Sequence, residues 1–435
     1  MRWVYVLASY ALFGLLFPVL ALHRKTRRGQ RERLGLLSRS ALPGPGRPRI
    51  WLHGASAGDL LALAPMIPLL RARYPEGRII LSTMTDSGQM MARGRLAGQV
   101  DAIVHVPWDL RGATRRTVRA LKPDLLVLEY TEMWPNLIAA ARSAGARIAL
   151  TNGRFSPQHL SRYRLLFTLI GNPLRQVDLL LMREPQEAER ARQLGASEAQ
   201  VRVTGNTKFD ALAPGRGEDA VDPALLQGLG IPEGAPLWVA GSTHEGEEEQ
   251  LLEVFSRLRR DFPTLHLLIA PRYVDRAPKL LTLAAERGFK AALRSKGNST
   301  GAPVIILDTI GELARVYRLA RVVFVGGSFT TRGGQNILEP AGQGRAVLFG
   351  PHMENFHDSV QALVGRGGIQ VKDAAHLERT LRELLSRPRD AEALGLLARE
   401  AVAQLTGASE RNVALLAELL EQRSEPTSPG EAGAG

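Results

Sequence analysis

RIWLHGASAGD, residues Arg49 to Asp59, is the stretch on which the fold turns. Neighbouring apolar residues lead into small ones, and a helical pattern then begins. A strand that is apolar at consecutive positions suits a parallel sheet covered on both faces, because alternate side chains point to opposite sides. The unit recurs downstream. Further candidate strands begin at Arg78 (RIILST), Ala102, Asp124 (DLLVLE), Arg147 (RIALT), Asp178 (DLLLM) and Val201, with helical stretches between them. Such alternation predicts βαβ units.

From about Pro214 to Gly234, proline, glycine and acids break the pattern as a linker does. It restarts at Pro236 (PLWVAGS), Leu265 (LHLLIAP), Val304, Arg321 (RVVFVGG), Ala346 and Gly368. The expectation is an α/β protein of two consecutive doubly wound lobes, residues 49–213 and 235–421, with the linker over 214–234. Ligands are expected at the C-terminal ends of the strands, facing a cleft between the lobes. Residues 422–435 are rich in Ser, Pro, Gly and Glu and read as a disordered tail.

Upstream of Arg49 the chain changes character. Trp3 to Leu22 is almost wholly apolar and uncharged, about the length that crosses a bilayer as a helix. His23, Arg24, Lys25, Arg27, Arg28, Arg31 and Arg33 come next, inside a Gly- and Pro-rich connector over 23–48. Basic residues after the apolar run argue against a cleaved signal peptide and hold the downstream chain on the cytoplasmic side. Residues 1–22 are therefore expected to be a membrane anchor, and Pro18 leaves a spanning helix and a shallow insertion both open.

Lysine and arginine outnumber acids by 56 to 43, giving a net charge of +13 and pointing to an anionic partner. Charge alone does not choose among nucleic acid, acidic lipid and phosphorylated substrate. The basic cluster beside an apolar segment turns the reading to a membrane and a phosphorylated substrate, with no nucleic-acid partner. The chain has no cysteine, which excludes disulfides, thiolate zinc sites and cysteine nucleophiles.

Several segments just past strands can carry chemistry. In HGASAGD, Asp59 stands where a helix begins. It is either a base for an incoming hydroxyl or an ordinary N-terminal helix acid, and spacing alone favours the latter. In Ala270-Pro271-Arg272 the arginine can grip a phosphate or be a plain surface charge. The run GGSFTTRGGQNILEPA, Gly326 to Ala341, is richer. Its glycine pairs let backbone amides converge on a phosphate, while Glu339 can accept from ribose hydroxyls. Gly241-Ser242-Thr243-His244-Glu245 and Lys208, within GNTKFD, are smaller signals. No D-x-D motif and no His/carboxylate spacing for a metal occurs, so neither a metal nor another cofactor is expected.

Taken in order, these motifs resemble the lipid A Kdo transferases, which join 3-deoxy-D-manno-octulosonic acid (Kdo) to lipid A precursors. The resemblance spans nearly the whole chain. It runs from the N-terminal apolar segment through H-x-x-S-x-G, T-M-T-x-x-G (Thr83 to Gly88), E-x-W-P-N (Glu132 to Asn136), G-x-x-K-F-D and G-S-T-H-x-G-E-E (Gly241 to Glu248). It continues through A-P-R, G-E-L (Gly311 to Leu313) and G-G-x-N-x-L-E-P-A to G-P-H-x-x-N-F (Gly350 to Phe356).

The resemblance implies the GT-B fold, two Rossmann-like domains around a cleft, with acceptor on the N-terminal side and donor on the C-terminal side. It implies a CMP-Kdo donor, a phosphorylated lipid acceptor (lipid IVA), and work at the cytoplasmic face of the inner membrane. The family's CMP-binding positions fall on Pro271, Arg272, Ile310, Gly311, Glu312, Asn336, Ile337, Leu338 and Glu339. Its catalytic glutamate falls on Asp59; of its two transition-state groups, the lysine falls on Lys208 and the other, an acid, on Tyr130.

Two of these positions depart from the family. Shortening Glu to Asp withdraws the carboxylate by one bond, and a misplacement of about 1 Å can cost on the order of a hundredfold in rate. The chain thus reads as a divergent, inverting transferase. The alternatives are a GT-B transferase with another acidic sugar or acceptor, a sugar-nucleotide epimerase, and a non-catalytic nucleotide-binding paralogue.

Overall fold

A computed structural model describes residues 2–23, 26–212, 223–297 and 301–422. Residues 24–25 of the basic cluster, 213 of the expected first lobe, 214–222 of the expected linker and 423–435 of the expected tail lie outside that description. The chain divides into two units, Met1–Ala211 together with Thr406–Gly435, and Leu212–Leu405. Each is built on a seven-stranded parallel sheet.

The first sheet comprises β1 (Arg49–His53), β2 (Arg78–Thr83), β3 (Ala102–His105), β4 (Leu125–Glu129), β5 (Arg147–Gly153), β6 (Leu179–Met182) and β7 (Val201–Val203). Their order is β3-β2-β1-β4-β5-β6-β7. The sequence RIWLH shows why it holds together. Trp51 packs with Leu126, Leu128 and Leu150 on one face, while Ile50 and Leu52 pack with Leu125 and Val127 on the other. Each is fully buried, and burying one such aliphatic side chain contributes about 1.5–3 kcal/mol. The order changes direction between β1 and β4, which are adjacent, so a crevice opens at their C-terminal ends.

The second sheet comprises β8 (Leu237–Thr243), β9 (His266–Pro271), β10 (Ala291–Leu293), β11 (Val304–Ile306), β12 (Val322–Val325), β13 (Ala346–Phe349) and β14 (Gly368–Gln370). They lie in the order β10-β11-β9-β8-β12-β13-β14. Trp238, Ala240, Leu267, Ile269, Phe324 and Leu348 form the centre of its core. Part of the segment read as a linker belongs here, since Pro223–Leu229 is helical and Leu229 and Ile231 are buried.

The last helix, Ala408–Glu421, differs from the sequence reading, which placed it with the second lobe. It belongs to the first unit. Val413, Leu416, Leu419 and Leu420 join Met66, Ile67 and Leu70 in one apolar cluster. Asp210, from the GNTKFD motif, fastens its start by accepting the amides of Gly407 and Ser409, each at 2.7 Å. Arg411 adds bonds to the Thr204 carbonyl at 2.9 and 2.7 Å.

The N-terminal segment is one helix, Arg2–Leu22, unbroken by Pro18. Tyr5 donates to Asp109 at 2.7 Å, the Tyr10 hydroxyl accepts the Gly112 amide at 2.9 Å, and Phe13 meets Trp108. Trp3, Leu7, Leu15, Val19 and Leu22 are exposed. Among the described residues no helix is long and apolar enough to cross a membrane, so the expected anchor over 1–22 is not seen as a span. One member of the basic cluster turns inward: Arg33 is fully buried, donating to the Arg28 and Met84 carbonyls and lying over the Trp108 ring.

Candidate active site

On the first unit, β1 ends at His53 and the helix Ala57–Leu63 begins after Ser56. Asp59, in its first turn, accepts the Ser56 amide at 2.8 Å. One carboxylate oxygen therefore performs the capping role that spacing alone favoured, and the half-buried side chain remains at the crevice rim. Gly54 is needed beneath it, since a Cβ there would lie 2.9 Å from the Asp59 Cβ.

β4 ends at Glu129, and Tyr130 turns away at once with φ 54°. Glu129 is wholly buried, accepting from Thr151 Oγ1 at 2.6 Å and from the Asn152 amide. Burial pushes its carboxyl up to about 8, and the nearby Asp59 charge adds to the push. It is a protonated structural acid at neutral pH, closed off from any ligand.

Asn152, itself at φ 51°, also donates to Thr207 Oγ1 and accepts the Thr207 amide at 3.0 Å. Thr207 in turn donates to the Ala62 carbonyl at 2.6 Å. This chain of bonds ties the helix carrying Lys208 to the helix carrying Asp59 and to the end of β4. Asp59, Tyr130 and Lys208, distant in sequence, thus share the C-terminal rim of one sheet.

The E-x-W-P-N run is fixed separately. Glu132 accepts from Trp134 Nε1 at 2.8 Å, and Asp109 accepts the amides of Asn136 and Leu137 at 3.1 and 2.8 Å. His53 Nε2 is buried 3.8 Å from Glu132 and has no hydrogen-bond partner among the described residues.

On the second unit the strand ends also gather the expected residues. Pro271 closes β9, and the exposed Arg272 donates its amide to the Thr243 carbonyl at 2.9 Å. Burial holds His244 below the usual histidine range, opposed by the Glu247 charge and aided by those of Arg332, Arg272 and Arg276. Ile310 is 87% exposed and Gly311 adopts φ 90°. Glu312 pairs with Arg294 at 3.1 Å. Asn336 spends its amide on the Leu212 carbonyl at 2.7 Å and caps Leu338. Burial raises the Glu339 carboxyl above its ordinary range.

Two features of this loop limit what could meet a ligand. Ile337 and Leu338 have fully buried side chains, so only their backbone can meet a ligand. At the start of the run, the amides of Gly327, Ser328 and Phe329 already donate to the buried Glu247 carboxylate at 2.7, 3.0 and 2.8 Å. Sequence reasoning misses Glu247; its signal is the first of the two adjacent acids that close G-S-T-H-x-G-E-E. Gly241 is equally constrained, since a Cβ there would lie 2.0 Å from the Tyr317 hydroxyl. Among the described residues no group of three or more His, Asp or Glu side chains is placed to hold a metal.

Residues 28–211 match the family model described as 3-deoxy-D-manno-octulosonic-acid transferase (kdotransferase). The 3-deoxy-D-manno-octulosonic acid transferase of Chlamydophila psittaci is 33% identical over 355 residues, 80% of each chain. That of Bordetella pertussis is 31% identical over 443 residues, 96% of this chain and 99% of the relative. The chain belongs to the Kdo transferase family. As a Kdo transferase it is a glycosyltransferase. The UDP-GlcNAc 2-epimerase of Neisseria meningitidis, solved with UDP-GlcNAc, superposes with a TM-score of 0.52 over 85% of this chain and all of that one. At 12% identity that likeness shows the shared two-lobed Rossmann-like fold alone.

Proposed function

We propose that this Kdo transferase moves Kdo from CMP-Kdo to a phosphorylated lipid acceptor, with inversion at the anomeric carbon. The observation that carries the reading is the hydrogen-bonded chain Glu129–Asn152–Thr207–Ala62, which gathers Asp59, Tyr130 and Lys208 on one rim. Asp59 takes the proton of the acceptor hydroxyl as its oxygen bonds to the anomeric carbon. The bond from that carbon to the CMP phosphate oxygen breaks, and CMP leaves with the electron pair. Lys208 and Arg272 offset the charge that develops on the phosphate and the sugar carboxylate. Acceptor binding on the first unit and donor binding on the second serve this reaction.

The acceptor is a lipid, and the first unit carries a surface suited to it. Leu165, Leu166 and Leu169 are exposed on the helix Leu160–Ile170, which also carries the exposed Arg162 and Arg164. With the outward face of Arg2–Leu22 they support association with an anionic bilayer at the cytoplasmic face of the inner membrane.

Assay of the purified protein with CMP-Kdo and a tetraacylated lipid A precursor, on wild type and Asp59→Ala together, tests the reading. Kdo-lipid product from wild type and at most about 1% of that rate from the variant is the expected result. CMP binding without product from wild type sinks it in favour of another acceptor or a nucleotide-binding paralogue.

A further inference from the structure

The second sheet has a cavity at the end opposite to its donor loops. It has a volume of about 640 Å³ and lies beneath the N-terminal ends of β8, β12 and β13, where Leu237, Arg321 and Arg345 stand. That volume is within the range of about 300–1,000 Å³ typical of small-molecule sites. Its walls combine an apolar part, from Ile231, Leu237 and Leu319, with the guanidinium groups of Arg318, Arg321 and Arg345.

Arginines at strand N-termini have an ordinary use, since helices end there and leave carbonyls unsatisfied. Some of that use is present: Arg345 donates from Nη2 to the Arg318 carbonyl, and Arg318 donates from Nε to Gln343. It does not account for the whole cluster. Arg345 Nε is buried with no hydrogen-bond partner among the described residues. Burial depresses the Arg345 pKa, and the neighbouring Arg321 depresses it further. The carboxylates on the lining, Glu233 and Glu392, are exposed, and Glu392 is spent on Arg321 at 3.2 Å. A buried cationic N–H without an acceptor is costly to leave unmade, and a ligand anion supplies the acceptor.

The cavity's place in the fold adds to this. The helix Leu313–Tyr317 begins at the Ile310–Glu312 segment and ends at Arg318. The helix Leu338–Gly342 begins at Asn336–Ile337 and ends before Gly344 and Arg345. Both elements that start at expected donor residues therefore finish on this cavity.

We propose that the cavity is a second ligand site, for an organic anion whose phosphate or carboxylate engages Arg345 and Arg321 while an apolar body lies against Ile231, Leu237 and Leu319. Isothermal titration of the full chain with 1-naphthyl phosphate, in saturating CMP so that the donor loops are occupied, tests it. The expected result is one further equivalent bound with a Kd of about 1 mM or tighter, and inorganic phosphate at least about tenfold weaker. Arg345→Met removes the fork while keeping a stem of similar length, and Ala235→Trp fills the cavity without touching a charge. Each should weaken binding by about tenfold or more, with CMP affinity unchanged as the control for folding. No second equivalent, equal binding by both variants, or inorganic phosphate binding as tightly as the naphthyl ester overturns the proposal.

Discussion

Glu247 holds Gly327: its Oε2 accepts the glycine amide at 2.7 Å, with both residues buried. The same carboxylate takes the amides of His244, Ser328 and Phe329, so one anion from the first donor-side loop organises the start of the glycine run. The loop is shaped by an internal acid, so the amides at its start are already engaged within the protein.

Replacing Glu247 by glutamine swaps one acceptor oxygen for an NH2 that faces N–H donors. Glu247→Gln should lower stability by about 2–4 kcal/mol, because buried amides lose their acceptor. Donor KM should rise more than kcat falls. Thermal unfolding and steady-state kinetics check both, and an unchanged melting temperature would show that the loop orders itself without the carboxylate.

Glu129 gives stability a pH dependence of defined sign. Its folded pKa of about 8 lies above the ordinary 4.5, so between those values the native state holds a proton that the unfolded chain has released. Stability from this group is therefore lost as pH rises through that window and levels off above it. Glu129→Gln removes the titration, so its melting temperature relative to wild type should climb from pH 5 to pH 9. A constant gap between the two proteins across that range contradicts a protonated Glu129.

Asn152 is the joint between Glu129 and the helix bearing Lys208. Asn152→Gly keeps the left-handed backbone accessible while deleting every side-chain bond. Turnover should fall by about tenfold with donor KM within about twofold, because a catalytic group is displaced rather than a binding group removed. A raised donor KM at unchanged kcat would place Asn152 in donor binding instead.

Arg272 is exposed, and its charge acts on His244. Arg272→Ala should raise donor KM by about tenfold or more, and Arg272→Lys should recover only part, since an ammonium lacks the planar fork. Michaelis profiles at two salt concentrations read this directly, and full recovery by lysine would reduce the role to point charge.

The sheets were legible because their signal is local. Ile50, Trp51 and Leu52 announce a strand buried on both faces, and that reading needs no knowledge of what covers them. Motif order singled out Asp59 and Lys208, but it gave no sign of the Asn152 and Thr207 bonds that tie their helices together. Asn152 and Glu247 act across 55 and 80 residues of chain, so no window around either one contains its partners. The final helix shows another limit. Its apolar stripe announces that Val413 and Leu416 are covered, yet Met66 and Leu70, which cover them, lie at the other end of the sequence. Ile337 and Leu338 show the reverse, for motif correspondence marks a position near a ligand without saying whether side chain or backbone faces it.

The chain leaves the first unit after Ala211 and rejoins it at Thr406. On the ribosome this inverts the usual order in which amino-terminal domains mature first. Leu212–Leu405 can complete its own sheet while the earlier unit still waits with Met66, Ile67 and Leu70 uncapped. Only when the last turns of Ala408–Glu421 emerge can that surface be sealed, so a stop codon shortly before Thr406 would injure the half of the protein that was translated first.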